Sequence, residues 1–148
     1  LLPLAVLAAR VWHGVPADSG SAEDSAALGE AAHHAAARDA VTDGAAEDSS
    51  RWGPYEPWAR PHLLLARGAD AEAAAAVRRI PDPPPGLLAE VLWILAGRAA
   101  IAVDDRRVAE RARAALTPAA GEVSAGSGVL TAGPIRDHLA ALTNFLAS

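Results

Sequence analysis

The side chains best suited to binding lie in one short stretch. Trp52, Tyr55 and Trp58 follow one another at three-residue intervals, with His62 four residues on and Trp93 further along the chain. Gly53, Pro54 and Pro57 set this stretch on a stiff turn, because two prolines block regular structure until Pro57 can serve as a first helical residue. Large aromatics on a preorganised turn bury area at small entropic cost and present polar tips, so they can line a groove for a peptide or a small ligand. The same side chains could instead close the open end of a helical core. Both readings stand at this stage, and Trp52, Tyr55, Trp58, His62 and Trp93 are the candidate ligand- or partner-binding residues. Alanine at Trp52 and Tyr55 separates the two, since groove residues lose binding while core residues lose stability.

Other groups that could do chemistry are poorly placed for it. His33 and His34 have Glu30 and Asp39 on neighbouring turns of a predicted helix, but adjacent helical residues point about 100° apart. His34 with Glu30 supplies two ligands at most, short of the three or four that zinc takes. His13, His62 and His138 are isolated, without a serine at a recognisable motif spacing. Gly126, Ser127 and Gly128 resemble a nucleotide loop only in part. A dinucleotide fingerprint needs glycine where Thr131 stands, and a phosphate loop needs lysine then serine or threonine where Pro134 stands. Asp104 and Asp105 read as helix-cap and turn residues rather than a catalytic carboxylate pair. The expectation is therefore a protein with no catalytic residues, no metal and no cofactor.

Composition narrows the class. Cysteine is absent, which removes disulfides, thiol catalysis and thiolate metal sites. The net charge is -5, and every one of the 13 basic residues is arginine. Phosphate binding needs clustered positive potential, and the densest basic run, Arg106, Arg107, Arg111 and Arg113, is interleaved with Asp104, Asp105 and Glu110 and reads as a solvated helix face. No direct contact with nucleic acid is expected. The opening run Leu1 to Val11 holds Pro3 and Arg10 and is too short to span a membrane, so it reads as a helix packed on the domain, and a cytoplasmic location is the default. Methionine is also absent, from which we expect sequence upstream of Leu1 in the native gene.

At 148 residues the chain suits one domain, and with 51% apolar but only 4% aromatic residues its apolarity lies in Ala and Leu, which favours helices over sheets. Leu4, Leu7, Ala8 and Val11 recur at helical spacing. An Ala-rich helix is predicted from about Ser25 to Val41, with a solvated acidic loop at Thr42 to Arg51. Further helices are predicted over Pro57 to about Arg67, Asp70 to Ile80 and Leu87 to Val103, then from the Asp104–Asp105 cap to Pro118. Gly68 is placed as a left-handed C-cap and Asp70 as an N-cap. Four glycines between Gly121 and Gly133 predict an extended excursion or loose hairpin, after which Pro134 starts a last helix through Leu146.

The most specific signal is an internal repeat. At an offset of 35, Trp58 lies over Trp93, Asp70 over Asp105, Ala74 over Ala109, Arg78 over Arg113, Pro83 over Pro118 and Gly86 over Gly121. Each pair has one structural job: aromatic on the first helix, cap on the second, small residue at the close approach, breaker at the end. This resembles the tetratricopeptide class of helix-turn-helix repeats of about 34 residues, with Trp93, Gly97 and Ala109 at the class spacings and the earlier unit keeping only Trp58 and Ala74. Two units are fewer than a stable array usually needs, so flanking helices must cap it.

The fold expected is all-α, with about six or seven helices in antiparallel, tetratricopeptide-like pairs. One domain spans 1–148, made of capping helices (1–41), a loop (42–56), two repeat units (57–118), and a glycine-rich joint with a terminal helix (119–148). From Leu87 onward, Asp104–Asp105, Pro118, Gly121, Gly126–Ser127–Gly128 and Gly133–Pro134 leading into Asp137–His138–Leu139 resemble the terminal repeat region of actinobacterial transcriptional regulators of the antibiotic-regulatory-protein type and of large ATP-binding regulators. That resemblance implies a sensory or interaction module of a larger regulatory protein, acting on a protein partner or a small-molecule effector, with a homodimer as one option for its assembly. The alternative is an all-α small-molecule-binding or biosynthetic protein with an aromatic-lined pocket.

Overall fold

The computed structural model describes Leu4, Leu7, Ala8 and Val11, residues 52–126 and residues 130–148, the side chains of 125, 126, 130 and 131 excepted. The predicted helix at Ser25 to Val41, the acidic loop at Thr42 to Arg51, and His13, His33 and His34 lie outside the described residues.

Among the described residues the chain is mostly helical, with five α-helices and one small antiparallel sheet. Helix α1 is Glu56–Ala66, α2 Asp70–Val77, α3 Ala89–Ala102 and α4 Arg106–Leu116; strands β1 Val123–Gly126 and β2 Leu130–Pro134 follow, then α5 Ile135–Ala147. A short 3-10 turn, Gly53–Tyr55, leads into α1, so Pro57 is its second residue rather than its first. Pro61 lies inside α1 and is buried. It has no N–H, so the carbonyl four residues back, on Pro57, lacks its usual helical partner.

Gly68 has φ +71 and stops α1 as a left-handed cap should. The cap expected at Asp70 is corrected. Ala69 is the N-cap, no side chain bonds there, and Asp70 is the first helical residue, where its carboxylate still favours the positive end of the helix dipole. Helix α2 also ends at Val77, three residues short of Ile80, and the chain then runs without regular structure through Pro81, Pro83 and Pro84. At the second joint Asp104 takes φ +58, the left-handed residue of the turn, and Asp105 caps α4 by accepting from Val108 N–H at 3.0 Å. Asp105→Ala is expected to lower the unfolding free energy by about 1 kcal/mol, checked by urea denaturation.

The core runs through α3, where Val91, Leu92, Ile94, Leu95, Ala96, Ala99 and Ala100 are buried on more than one face. Helix α1 packs on α2 and α3 on α4; α3 meets both helices of the first pair, and α5 lies across α3 and α4. At this last meeting Gly97 is the point of close approach. A Cβ built there would stand 3.2 Å from Ala112 Cβ and 3.2 and 3.3 Å from the two Leu142 methyls. The small residue facing Gly97 is thus Ala112, one turn beyond the expected Ala109, which is buried nearby. Leu4, Leu7 and Ala8 are helical and buried in the same core, as their spacing predicts.

The glycine-rich stretch is a hairpin. Val123 pairs with Pro134 and Ser124 with Gly133, then Ala125 with Thr131, so Ala132 is an extra residue on β2. An inserted residue leaves its backbone groups out of the ladder. Here Ala132 is buried and its carbonyl takes the Nε2–H of His138, from the first turns of α5, at 2.6 Å. Pro134 is the N-cap of α5 rather than its first helical residue. Among the described residues no helix is long and apolar enough to cross a membrane.

Candidate functional site

The five nominated residues divide into two groups. Trp58 and His62, one turn apart on α1, are in the core, 4% and 8% exposed. Trp52 and Tyr55 are half-buried and pack on that core from the 3-10 turn, whose φ of +51 at Gly53 sets the direction of entry into α1. Trp93 is half-buried on α3, a different helix. Its ring is covered by the Arg111 guanidinium, 5.6 Å from the ring centroid, an arrangement that attracts cation to π face.

His62 is the polar group that sequence spacing misjudged as isolated. Its Nε2–H donates to the Leu95 carbonyl of α3 at 3.0 Å, tying the first helix pair to the second. That bond requires a proton on Nε2, because a carbonyl can only accept. A readable signal existed in the spacing of 35 that sets Trp58 over Trp93, which sets His62 over Gly97, and both of these are buried. Burial pushes its pKa down to about 4, the Leu95 carbonyl pulls the other way, and Arg98 adds to the lowering. The folded value lies below the ordinary 6.5, so the unfolded chain takes up a proton that the folded chain refuses. The His62 contribution to stability is expected to be full above about pH 6.5, to fall as pH drops, and to level off below about pH 4, for a loss of about 3 kcal/mol. His138 is shifted in the same direction, again chiefly by burial, with the Ala132 carbonyl and Asp137 opposing and Arg98 reinforcing. The check is a set of urea midpoints between pH 7 and pH 4; His62→Gln, which can still donate to Leu95 but does not titrate, is expected to flatten much of that slope.

The arginines of α4 lie on a solvated helix face as expected, Arg106 and Arg107 being exposed, and three of them make contacts within the chain from there. Arg111 also bonds Asp82 in the proline-rich linker, and Arg107 donates to the Arg78 carbonyl at the end of α2 at 3.4 Å. Arg106 donates to the Leu146 carbonyl near the end of α5 and lies 5.7 Å from the centroid of the Phe145 ring. A guanidinium is matched to the negative end of a helix dipole there. Three side chains that sequence treats as one basic patch reach three different elements and join both helix pairs to α5.

No family model matches this chain, and neither a curated protein nor a solved structure matches it.

Two buried polar atoms, Trp58 Nε1 and Ser124 Oγ, have no hydrogen-bond partner among the described residues. Among the described residues, no group of three or more His, Asp and Glu is placed to hold a metal. A groove of about 390 Å³ runs between α1 and α2, with Pro57, Leu64, Ala75 and Ala76 as apolar lining and Glu56, Arg60, Glu72 and Arg79 around them. None of Trp52, Tyr55, Trp58, His62 or Trp93 lines it. What the arrangement offers chemically is a surface of apolar floor and mixed charge on the first helix pair, over a core in which His62 ties α1 to α3 and His138 ties α5 to β2.

Proposed function

We propose that this chain is a non-catalytic, tetratricopeptide-like interaction or sensory module of a larger regulatory protein, of the kind found in actinobacterial transcriptional regulators. Its partner is a protein or a small-molecule effector, and any contact with nucleic acid is made by other parts of that protein. The observation that carries this reading is the way successive helices stack: α3/α4 on α1/α2, then α5 on α3/α4, with Gly97, Ala112 and Leu142 meeting at the second joint. In a repeat array each unit buries its apolar face on the next one, leaving long surfaces free for partners. The engagement of Arg106, Arg107 and Arg111 in contacts within the chain supports the absence of a phosphate-binding face.

The experiment is to tag the native gene at its 3′ end, purify the product and determine its intact mass and N-terminal sequence. The expected result is a polypeptide much longer than these residues, with a DNA-binding or nucleotide-binding region ahead of Leu1. A mature polypeptide that starts at Leu1 and ends at Ser148 would overturn the reading.

A further inference from the structure

The groove between α1 and α2 carries a charge pattern that is its own complement. Along α2 and the turn after it, the residues that line the groove are Glu72, Ala75, Ala76 and Arg79, at i, i+3, i+4 and i+7. They form one stripe with an acid at its start, a base at its end and two alanines between. Reversed end to end, the stripe meets itself: 72 falls opposite 79, and 75 opposite 76. Neither Glu72 nor Arg79 has a side-chain partner within the described residues, and both are exposed. Ala75 and Ala76 are half-buried, and side chains this small let two helix axes come as close as about 8 Å. Leu64 and Pro57 on α1 extend the apolar lining to the side, and Glu56 and Arg60 repeat the mixture of signs at 3.4 Å from each other.

We infer that this groove is a homodimer interface in which α2 of one copy packs antiparallel against α2 of a second copy, with Glu72 of each facing Arg79 of the other. A two-fold axis passing between Ala75 and Ala76 produces both ion pairs at once, as an isologous interface requires. The occupant is a second copy rather than an unrelated protein because the charges match under that reversal. The proposal goes beyond the regulatory-module reading and does not depend on it, since a self-associating pair of helices could belong to any class of protein.

Symmetry makes the test sharp. Glu72→Arg puts arginine against arginine twice, and Arg79→Glu does the same with carboxylates, so each single reversal is expected to weaken dimerisation by about tenfold or more. The double variant Glu72→Arg/Arg79→Glu restores both pairs with their signs exchanged and is expected to recover most of the affinity. All three changes are on the exposed surface, and circular dichroism and thermal unfolding show whether the fold is kept. Sedimentation equilibrium across a concentration series up to 1 mM supplies the dimer constant for each chain. Loss in both singles with recovery in the double supports the interface. A chain that stays monomeric throughout the series overturns it, as does a dimer whose constant the single reversals leave unchanged, or one that the double variant fails to recover.

Discussion

Replacing Trp58 with alanine is expected to lower the unfolding free energy by about 3 to 5 kcal/mol, the range for truncating a buried aromatic. The side chain is 4% exposed at the point where α1 enters the core, and nothing as large stands beside it on that helix to fill the space. Trp58→Phe separates the ring from its polar atom. Nε1 is buried with no acceptor among the described residues, and an unpaired buried donor costs about 1 to 3 kcal/mol by itself. Phenylalanine removes that penalty along with some contact area, so its loss should be far smaller than that of alanine, about 1 kcal/mol. Urea denaturation of the three chains, read by the remaining tryptophan fluorescence and by circular dichroism, supplies both numbers. A Trp58→Ala chain as stable as the parent would show that the aromatic stretch is no part of the core.

The second large effect is expected at Gly97. Leucine there must displace Ala112, whose Cβ is fixed to the backbone of α4, and Leu142, whose methyls touch the same spot from α5. Overpacking of this kind costs about 3 kcal/mol, and the joint between three helices has no soft side on which to relax. Gly97→Ala is a milder version. Alanine gains up to about 1 kcal/mol of helix propensity over glycine, but the contacts of 3.2 and 3.3 Å set repulsion against that gain. A net loss of about 1 kcal/mol is expected for alanine, with the leucine variant well beyond it, both from chemical denaturation at pH 7.

These two positions also show what was legible in the sequence. Helices α1, α3, α4 and α5 begin and end within a few residues of where apolar spacing, proline and glycine place them, because those signals act within one or two turns. The hairpin was legible for the same reason, as four glycines oppose a helix. Ala132 was not, since a bulge depends on how two strands slide past each other, which no single strand encodes. The cap at Asp70 failed because its neighbour Ala69 took the N-cap geometry, a one-residue choice settled by the turn after Gly68. The helix predicted from Pro57 to about Arg67 already runs through Pro61, and α1 does the same.

The candidate site was harder to read for a physical reason. Composition says that Trp52, Tyr55, Trp58 and His62 are close in sequence, but whether a ring points inward or outward depends on which helix covers it. On α1, Trp58 and His62 turn toward α3, and the Leu95 carbonyl gives His62 the hydrogen bond that makes burial tolerable. Trp93, 35 residues on from Trp58, is half-buried beneath Arg111. Positions at that spacing need not be equally buried when α1/α2 is followed by another helix pair and α3/α4 by α5. The groove between α1 and α2 left little trace in the hydrophobic pattern, because its floor is alanine.

Helix α5 stacks on the α3/α4 pair through a close contact at Gly97, and a double-mutant cycle tests that stacking directly. Gly97→Ala, Leu142→Ala and the double variant are unfolded in urea under one set of conditions. If α5 lies against Gly97 as described, removing the Leu142 methyls opens the space that the new Cβ needs. Gly97→Ala should then be less destabilising in the Leu142→Ala background than in the parent, by about 0.5 kcal/mol or more. Losses that simply add, within about 0.3 kcal/mol, would contradict the stacking and with it the reading of this chain as a helical-repeat module.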